Sequence, residues 1–384
     1  MTIAIMAERR PGERRVALVP AAVRHYRKRG WELRVESGAG RAASFSDRDF
    51  EEAGVAVVGG LEALLDGAGA VLKVQPPTAG EVAALPPGCV LVCHLDPLGP
   101  PGTVEALAAR GVTAFAVELV PRITRAQRMD VLSSQATVAG YKAVLNGACA
   151  MTRFLPMLTT AAGTVRPAKA LILGAGVAGL QAIATARRLG AVVSAFDIRP
   201  AVKEQVESLG AKFLEAALDE GSEDEGGYAK ALSEEQHERE LELIATHIRD
   251  HDLVVTTAQI PGRAAPVLIT DEMVSAMRPG SVIVDLAASE SGGNCEATVA
   301  GRSVERHGVT VMGPANLPAE VPYHASRMYA RNLAALVDHL FDEDGAIDHE
   351  DEITAAACVT RGGEITNERV RSNLASAAEQ KAHG

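Results

Sequence analysis

Residues 168–200, AKALILGAGVAGLQAIATARRLGAVVSAFDIRP, decide the fold. The apolar run ALIL reads as a strand, and LILGAGVAGLQ (residues 171–181) follows it with Gly174, Gly176 and Gly179 in the spacing GxGxxG. The helical stretch LQAIATARRLG comes next, then a second strand, AVVSAF, ending at Asp197. A lone GxGxxG is a weak signal; the strand before it, the helix after it and a carboxylate about 20 residues on make it a dinucleotide fingerprint. Glycines let backbone amides approach a pyrophosphate at the positive end of the helix dipole. Asp197 would accept hydrogen bonds from the adenosine ribose, which favours NAD because a 2′-phosphate would face a negative charge. Arg199 pulls the other way, since a nearby arginine accommodates that phosphate.

Outward from this stretch the same alternation continues. Upstream, TIAIM, WELRVES, AVLKVQPP, CVLVCHL and VTAFAVE read as strands, with helical segments such as PAAVRHYRKRG and SDRDFEEAG among them. Downstream come HDLVVTTAQIPG, SVIVDLAA and VTVMGPAN. Strands alternating with helices imply a parallel sheet covered on both faces. A chain of 384 residues exceeds one simple core, so the expected class is α/β: two Rossmann-like, doubly wound parallel-sheet domains with a cleft between them. The alanine-rich segment 136–168 reads as mostly helical and joins the two, and the amphipathic PYHASRMYARNLAALVDHLF returns to the first. The expected domains are therefore 1–135 with 317–384, and 136–316. Residues 221–252, acidic and then helical, read as a surface segment or lid, and SNLASAAEQKAHG as a polar, poorly ordered tail.

Composition excludes several classes. Aromatic residues are 3% of the chain and the formal charge is −11, which leaves neither a stacking platform for single-stranded nucleic acid nor a phosphate-binding face. Five cysteines without a CxxC pair fit neither a zinc site nor a disulfide framework, and a reducing cytosol is the simplest home. The start, MTIAIMAERRPGERR, places charge where a signal peptide needs its apolar segment. Apolar runs are interrupted by Arg153, Arg166, Lys169, Arg187 and Arg188 before the roughly 18 residues of a membrane span, so no direct membrane insertion is expected.

PRITRAQRMDVLSSQ, residues 121–135, places Arg122, Arg125, Arg128 and Asp130 among hydroxyls and amides directly after the strand-like VTAFAVELV. Read alone, it is as well explained by a surface ion-pair cluster with helix capping.

Together, RITRAQRMDVLSSQATVAGYKAV and LGAGVAGLQAIATARRLGAVVSAFDIR resemble the two signature regions of domain I of the proton-translocating NAD(P) transhydrogenases, in their alpha subunit. The likeness runs through ERRPGERRVALVP, VLKVQPP, CHL, GGYAK, IPGRAAPVLIT, MVSAMRPGSVIVDLA and GGNCE, nearly the whole chain. The resemblance implies NADH as cofactor, a homodimer, and direct hydride transfer to NADP held on a partner subunit. It implies that Arg122 and Ser133 hold the nicotinamide carboxamide, that Asp130 pairs with Arg122 and orients the ribose, and that Gln127 reaches toward NADP. It adds Val177, Ala178, Ile198, Thr257, Ala258 and Gln259 as cofactor contacts, and Gly227 and Tyr228 in a loop that closes over NADH. Because the chain stops at Gly384 without a membrane portion, it resembles the split form, cytoplasmic and held at the membrane by NADP-binding and membrane-spanning partner chains.

Alanine dehydrogenase resembles the chain as well, through Arg15, Lys73 and His94, which a 2-oxo acid reductase would use for the carboxylate, the carbonyl and the proton. Each has an equally plain structural reading as a satisfied polar group. That enzyme's DQGG is here ESGG, with Ser291 before Gly292 and Glu290 shifted by one position, and its pattern offers no counterpart to the segment around Gln127. A non-catalytic NADH sensor, with the polar segment as a docking surface, is the reading from outside enzymology.

Overall fold

The computed structural model describes residues 1–215, 233–259 and 264–383, with side chains up to residue 375. Toward the N-terminus short apolar runs become parallel strands: β1 (Thr2–Ile5), β2 (Glu32–Glu36), β3 (Ala56–Val58), β4 (Ala70–Leu72), β5 (Val90–Cys93) and β6 (Thr113–Ala116). Their order, β3-β2-β1-β4-β5-β6, is that of a dinucleotide-binding sheet. Alternate residues of β1 go to opposite cores, Ile3 and Ile5 on one face, Ala4 and Met6 on the other. A strand buried on both faces must be apolar throughout, which is why these runs lack a polar period. The short helices Asp47–Glu52 and Ala79–Ala84 open with capping boxes at Ser46 and Thr78, each worth about 1 kcal/mol.

After β6 the chain passes through the 3₁₀ turns Val117–Leu119 and Thr124–Met129 into α1 (Val131–Ala150). Beyond it come the hairpin β7 (Leu158–Thr160) and β8 (Gly163–Val165), then β9 (Lys169–Leu173), α2 (Val177–Arg188), β10 (Val192–Phe196) and β11 (Lys212–Phe213). These are followed by α3 (Glu234–Ile248), β12 (Leu253–Thr256), β13 (Val282–Asp285), β14 (Ser303–Arg306) and β15 (Val309–Met312). The second sheet runs β11-β10-β9-β12-β13-β15-β14, parallel except for β14. Its winding reverses between β9 and β12, where such sheets take their ligands.

The chain then returns through α4 (Pro322–Leu340), β16 (Cys358–Arg361), β17 (Glu364–Ile365) and α5 (Glu368–His383). β16 pairs antiparallel with β6 and extends the first sheet. Tyr329 of α4 is fully buried and donates to the Lys73 carbonyl at 2.9 Å. Two compact units result, Met1–Gln135 with Pro318–Gly384, and Ala136–Leu317, the division falling inside α1.

Two local expectations are corrected. Segment 136–168 is helical only to Ala150, because the β-branched residues of LTTAAGTV, with Gly163 at φ +116°, form a hairpin. The C-terminal tail is helical to His383: its Ala, Glu, Gln and Lys favour helix, and buried Val370 and the Asn373 amide on the Leu98 carbonyl (3.0 Å) tie it down. Among the described residues no helix is long and apolar enough to cross a membrane.

Candidate functional site

The glycine turn joins β9 to α2, and each glycine has a different reason to be there. Gly174 sits at φ +96°, a conformation that disfavours any side chain, and a Cβ on it would meet the Thr257 hydroxyl at 2.4 Å. A Cβ on Gly179 would lie 1.8 Å from the Gly174 carbonyl oxygen, so this glycine lets α2 close on β9. Gly176, the residue capping α2, has φ −72° and ψ −170°, which any residue adopts, and a Cβ there meets nothing within 4 Å. Neither packing nor backbone strain explains it; close approach of another group to the helix N-terminus does. Exposed Val177 begins α2, and the backbone of Ala178 lies against Gly140 of α1, where a Cβ would stand 2.0 Å from the Ala178 carbonyl oxygen.

Asp197 follows β10 and is 8% exposed. Its carboxylate accepts from the Ala175 amide (2.7 Å), tying the second strand end to the glycine turn. Arg199 grips it as a fork, Nε to Oδ1 and Nη2 to Oδ2, both at 2.9 Å, and its own amide adds a bond to Oδ1 at 2.9 Å. The arginine thus neutralises the carboxylate it neighbours. Ile198, between them, packs on the core formed by Leu171, Leu173 and Phe196. From α3, buried Glu240 accepts or shares a proton with His237 Nδ1 at 2.9 Å. Burial pushes the Glu240 carboxyl up, and repulsion from Asp197 adds to this against the His237 hydrogen bond.

Across β9 from Asp197, Thr257 and Ala258 leave β12. The Thr257 hydroxyl donates toward the carbonyls of Leu173 and Gly174 (3.3 and 3.2 Å), and Gln259 donates to the Leu286 carbonyl at 3.0 Å. Glycine turn, Asp197 and these residues therefore gather at the carboxyl edge of one sheet. Beneath them lie two residues the sequence did not single out. Asp285, wholly buried, accepts from Thr256 and Thr298 hydroxyls and from the amides of Ala287 and Cys295. Asn294 clamps Ala258 through both backbone groups. Their motifs, VIVDLA and GGNCE, carry no local period; only the fold brings them to the strand ends.

The polar segment after β6 belongs to the first unit. Arg122 and Gln127 are exposed, Gln127 within the 3₁₀ turn Thr124–Met129. Asp130 accepts from the Ser133 amide at 2.8 Å and hydroxyl at 2.6 Å, an N-cap that starts α1. Asn332 of α4 donates to the Arg128 carbonyl (2.8 Å), and Arg125 reaches Asp351 (3.0 Å), so the turn is anchored on both sides. Gly227 and Tyr228 lie outside the described residues.

At the switch point of the first sheet, between β1 and β4, sits a second charged group. Lys73, 1% exposed, binds Glu81 at 3.0 Å and Glu8 at 3.6 Å. Arg15 forks onto Glu13 (2.9 and 2.7 Å) and donates to Gln135 at 2.8 Å. Burial pushes Glu13 up, but the Arg15 bonds and charge outweigh it and hold the carboxyl at about 2. Burial wins at Glu8, which is raised despite Lys73. His94 faces Glu118 at 3.6 Å and stacks near Tyr329. Among the described residues no cluster could hold a metal ion.

Family models match nearly end to end: that of the alanine dehydrogenase/PNT N-terminal domain over residues 4–139 and that of the C-terminal domain over 143–368. The first of the pieces into which Rhodospirillum rubrum divides its NAD(P) transhydrogenase subunit alpha is 48% identical over 378 residues, 96% of this chain and 98% of that one. A transhydrogenase from Sinorhizobium meliloti, 44% identical, superposes with a TM-score of 0.84 over 96% of this chain and all of that one. An L-alanine dehydrogenase at 27% identity reaches a TM-score of 0.81, covering 98% of this chain and 99% of its own. Similarity of sequence thus leans to the transhydrogenases while the fold is common to both, and the chain belongs to the alanine dehydrogenase/PNT family.

Proposed function

We propose that this chain is the NAD(H)-binding component of a proton-translocating NAD(P) transhydrogenase. The observation that carries the reading is Gly176, a glycine at a helix N-terminus that neither packing nor conformation requires, in a chain 48% identical to a piece of a transhydrogenase alpha subunit. Gly174, Gly176, Gly179, Val177 and Ala178 would hold the pyrophosphate, Asp197 the adenosine ribose, and Thr257, Ala258 and Gln259 the other half of the dinucleotide. When bound, NADH supplies a hydride that passes directly to the nicotinamide of NADP on a partner subunit.

The protein's contribution is then positioning, worth several powers of ten when two rings are held in register. Arg122 and Ser133 are assigned to the carboxamide, Asp130 to orienting the ribose and Gln127 to the partner's nucleotide. With its hydrogen given to Asp130, the Ser133 hydroxyl meets a carboxamide as an acceptor. No general base is required.

The homodimer implied by resemblance is supported by the region around the β7–β8 hairpin, where Phe154, Met157 and Val165 are exposed, more apolar side chain than a monomer usually leaves uncovered in one short segment. NADP-binding and membrane-spanning partner subunits complete the reading, with this chain peripheral to the membrane on its cytoplasmic side. Titrating the chain with NADH and NADPH by fluorescence tests it: NADH should bind more tightly, and tighter NADPH binding would refute the cofactor assignment.

Alanine dehydrogenase is the second reading, favoured by Arg15, Lys73 and His94. Yet Arg15 and Lys73 are each held by a carboxylate of their own chain, so a substrate carboxylate would have to displace one. Robust NADH oxidation with pyruvate and ammonia would favour it. A non-catalytic NADH sensor would bind NADH but show no hydride exchange with an NADP-loaded partner.

A further inference from the structure

Asn294 is wholly buried, and every polar group it has is aimed at one loop. Its Oδ1 accepts from the Ala258 amide at 3.0 Å, and its Nδ2 donates to the carbonyls of Ala258 (2.9 Å) and Pro266 (2.8 Å). Its own carbonyl accepts from the amides of Leu268 and Ile269, at 2.8 and 2.9 Å. One residue thus fixes both feet of the connection that leaves β12 after Thr257 and arrives at Pro266. Asn294 is itself held from below: the next amide, that of Cys295, donates to Asp285 at 3.1 Å, and a Cβ on the preceding Gly293 would stand 2.2 Å from the Asp285 carboxylate. Asp285 in turn binds the Thr256 hydroxyl at 2.8 Å. The result is a closed frame linking the last residue of β12 to the loop that follows it.

We propose that Asn294 is a positioning residue for the non-adenosine half of the dinucleotide, setting the backbone of Ala258 at the sheet edge without touching the ligand. The proposal rests on the NADH reading above. Its location decides which half is affected: Asp197 follows β10 on one side of β9, and Ala258 follows β12 on the other. A ligand that spans the switch point has its adenosine on the β10 side and its nicotinamide ribose on the β12 side. No other residue type makes this pattern as compactly. Asp lacks the donor, leaving two carbonyls facing a carboxylate, and Gln is one methylene too long for a fully buried site.

The test compares two ligands on folded protein. Asn294→Ala and the milder Asn294→Ser are titrated with NADH and with 5′-AMP, while thermal melts confirm that each folds. NADH affinity should fall at least tenfold in Asn294→Ala and less in Asn294→Ser, with 5′-AMP affinity within about twofold of the parent. Equal losses for both ligands, or none for either, would overturn the positioning role. Amide hydrogen exchange on the unmodified chain gives a reading that needs no variant: Ala258 must be protected before NADH is added, and rapid exchange there would overturn it too. If the parent chain binds 5′-AMP but not NADH, the functional reading fails instead.

Discussion

At the residue scale, glycines of one motif answer to different physics. Alanine at 179 must push against the Gly174 carbonyl, an overpacking that costs about 1–3 kcal/mol. Alanine at 176 meets nothing and keeps an ordinary backbone. Gly179→Ala should therefore lower the melting temperature, whereas Gly176→Ala should leave it unchanged and weaken NADH binding by tenfold or more. A Gly176→Ala protein with normal NADH affinity would show that no pyrophosphate approaches there. Asp197 makes a second contrast. Its fork with Arg199 holds the guanidinium in place, and Asp197→Asn would loosen that grip while removing the charge that repels a 2′-phosphate. The NADH-to-NADPH affinity ratio should drop by at least tenfold; an unchanged ratio would place cofactor choice elsewhere.

The glycine turn and Asp197 were legible in sequence because their spacing is local, a strand, a turn and a strand within about 25 residues. Asn294 was not, since its partner Ala258 lies 36 positions away and nothing between them carries a period.

At the scale of elements, strands buried on both faces announce themselves as unbroken apolar runs, so the alternation and the parallel sheets could be read directly. The hairpin β7–β8 could not, because it follows a long helix in a stretch rich in alanine and its strands are exposed. That exposure has a consequence for assembly. Replacing Phe154 and Met157 by Glu should convert a dimer to a monomer in sedimentation equilibrium without lowering NADH affinity, since both side chains are more than half exposed. A dimer that survives the double substitution would move the interface to another surface.

Over the whole molecule, two sheets of one strand order have been put to different uses. The second gathers neutral glycines and one masked carboxylate at its switch point; the first fills the same place with paired charges. Those pairs make the first unit sensitive to acid. The folded pKa of Glu13 is held at about 2, below its ordinary 4.5, so its contribution is present above about pH 4.5 and is lost as pH falls toward 2. A shift of that size corresponds to roughly 3 kcal/mol. Glu13→Gln should be less stable than the parent at pH 7 in urea titrations, and the difference should shrink between pH 4.5 and 2.5. A difference independent of pH would mean that Glu13 acts through packing and not charge.

The central claim is that NADH bound to this chain gives its hydride straight to a second nicotinamide. NADH deuterated at the transferring position of C4 can be mixed with the chain, NADP⁺ and membranes carrying NADP-binding transhydrogenase subunits, and the NADPH formed analysed by mass spectrometry. Full retention of deuterium in NADPH is the predicted result; NADPH lacking the label, or no NADPH above that formed without the chain, would contradict the account.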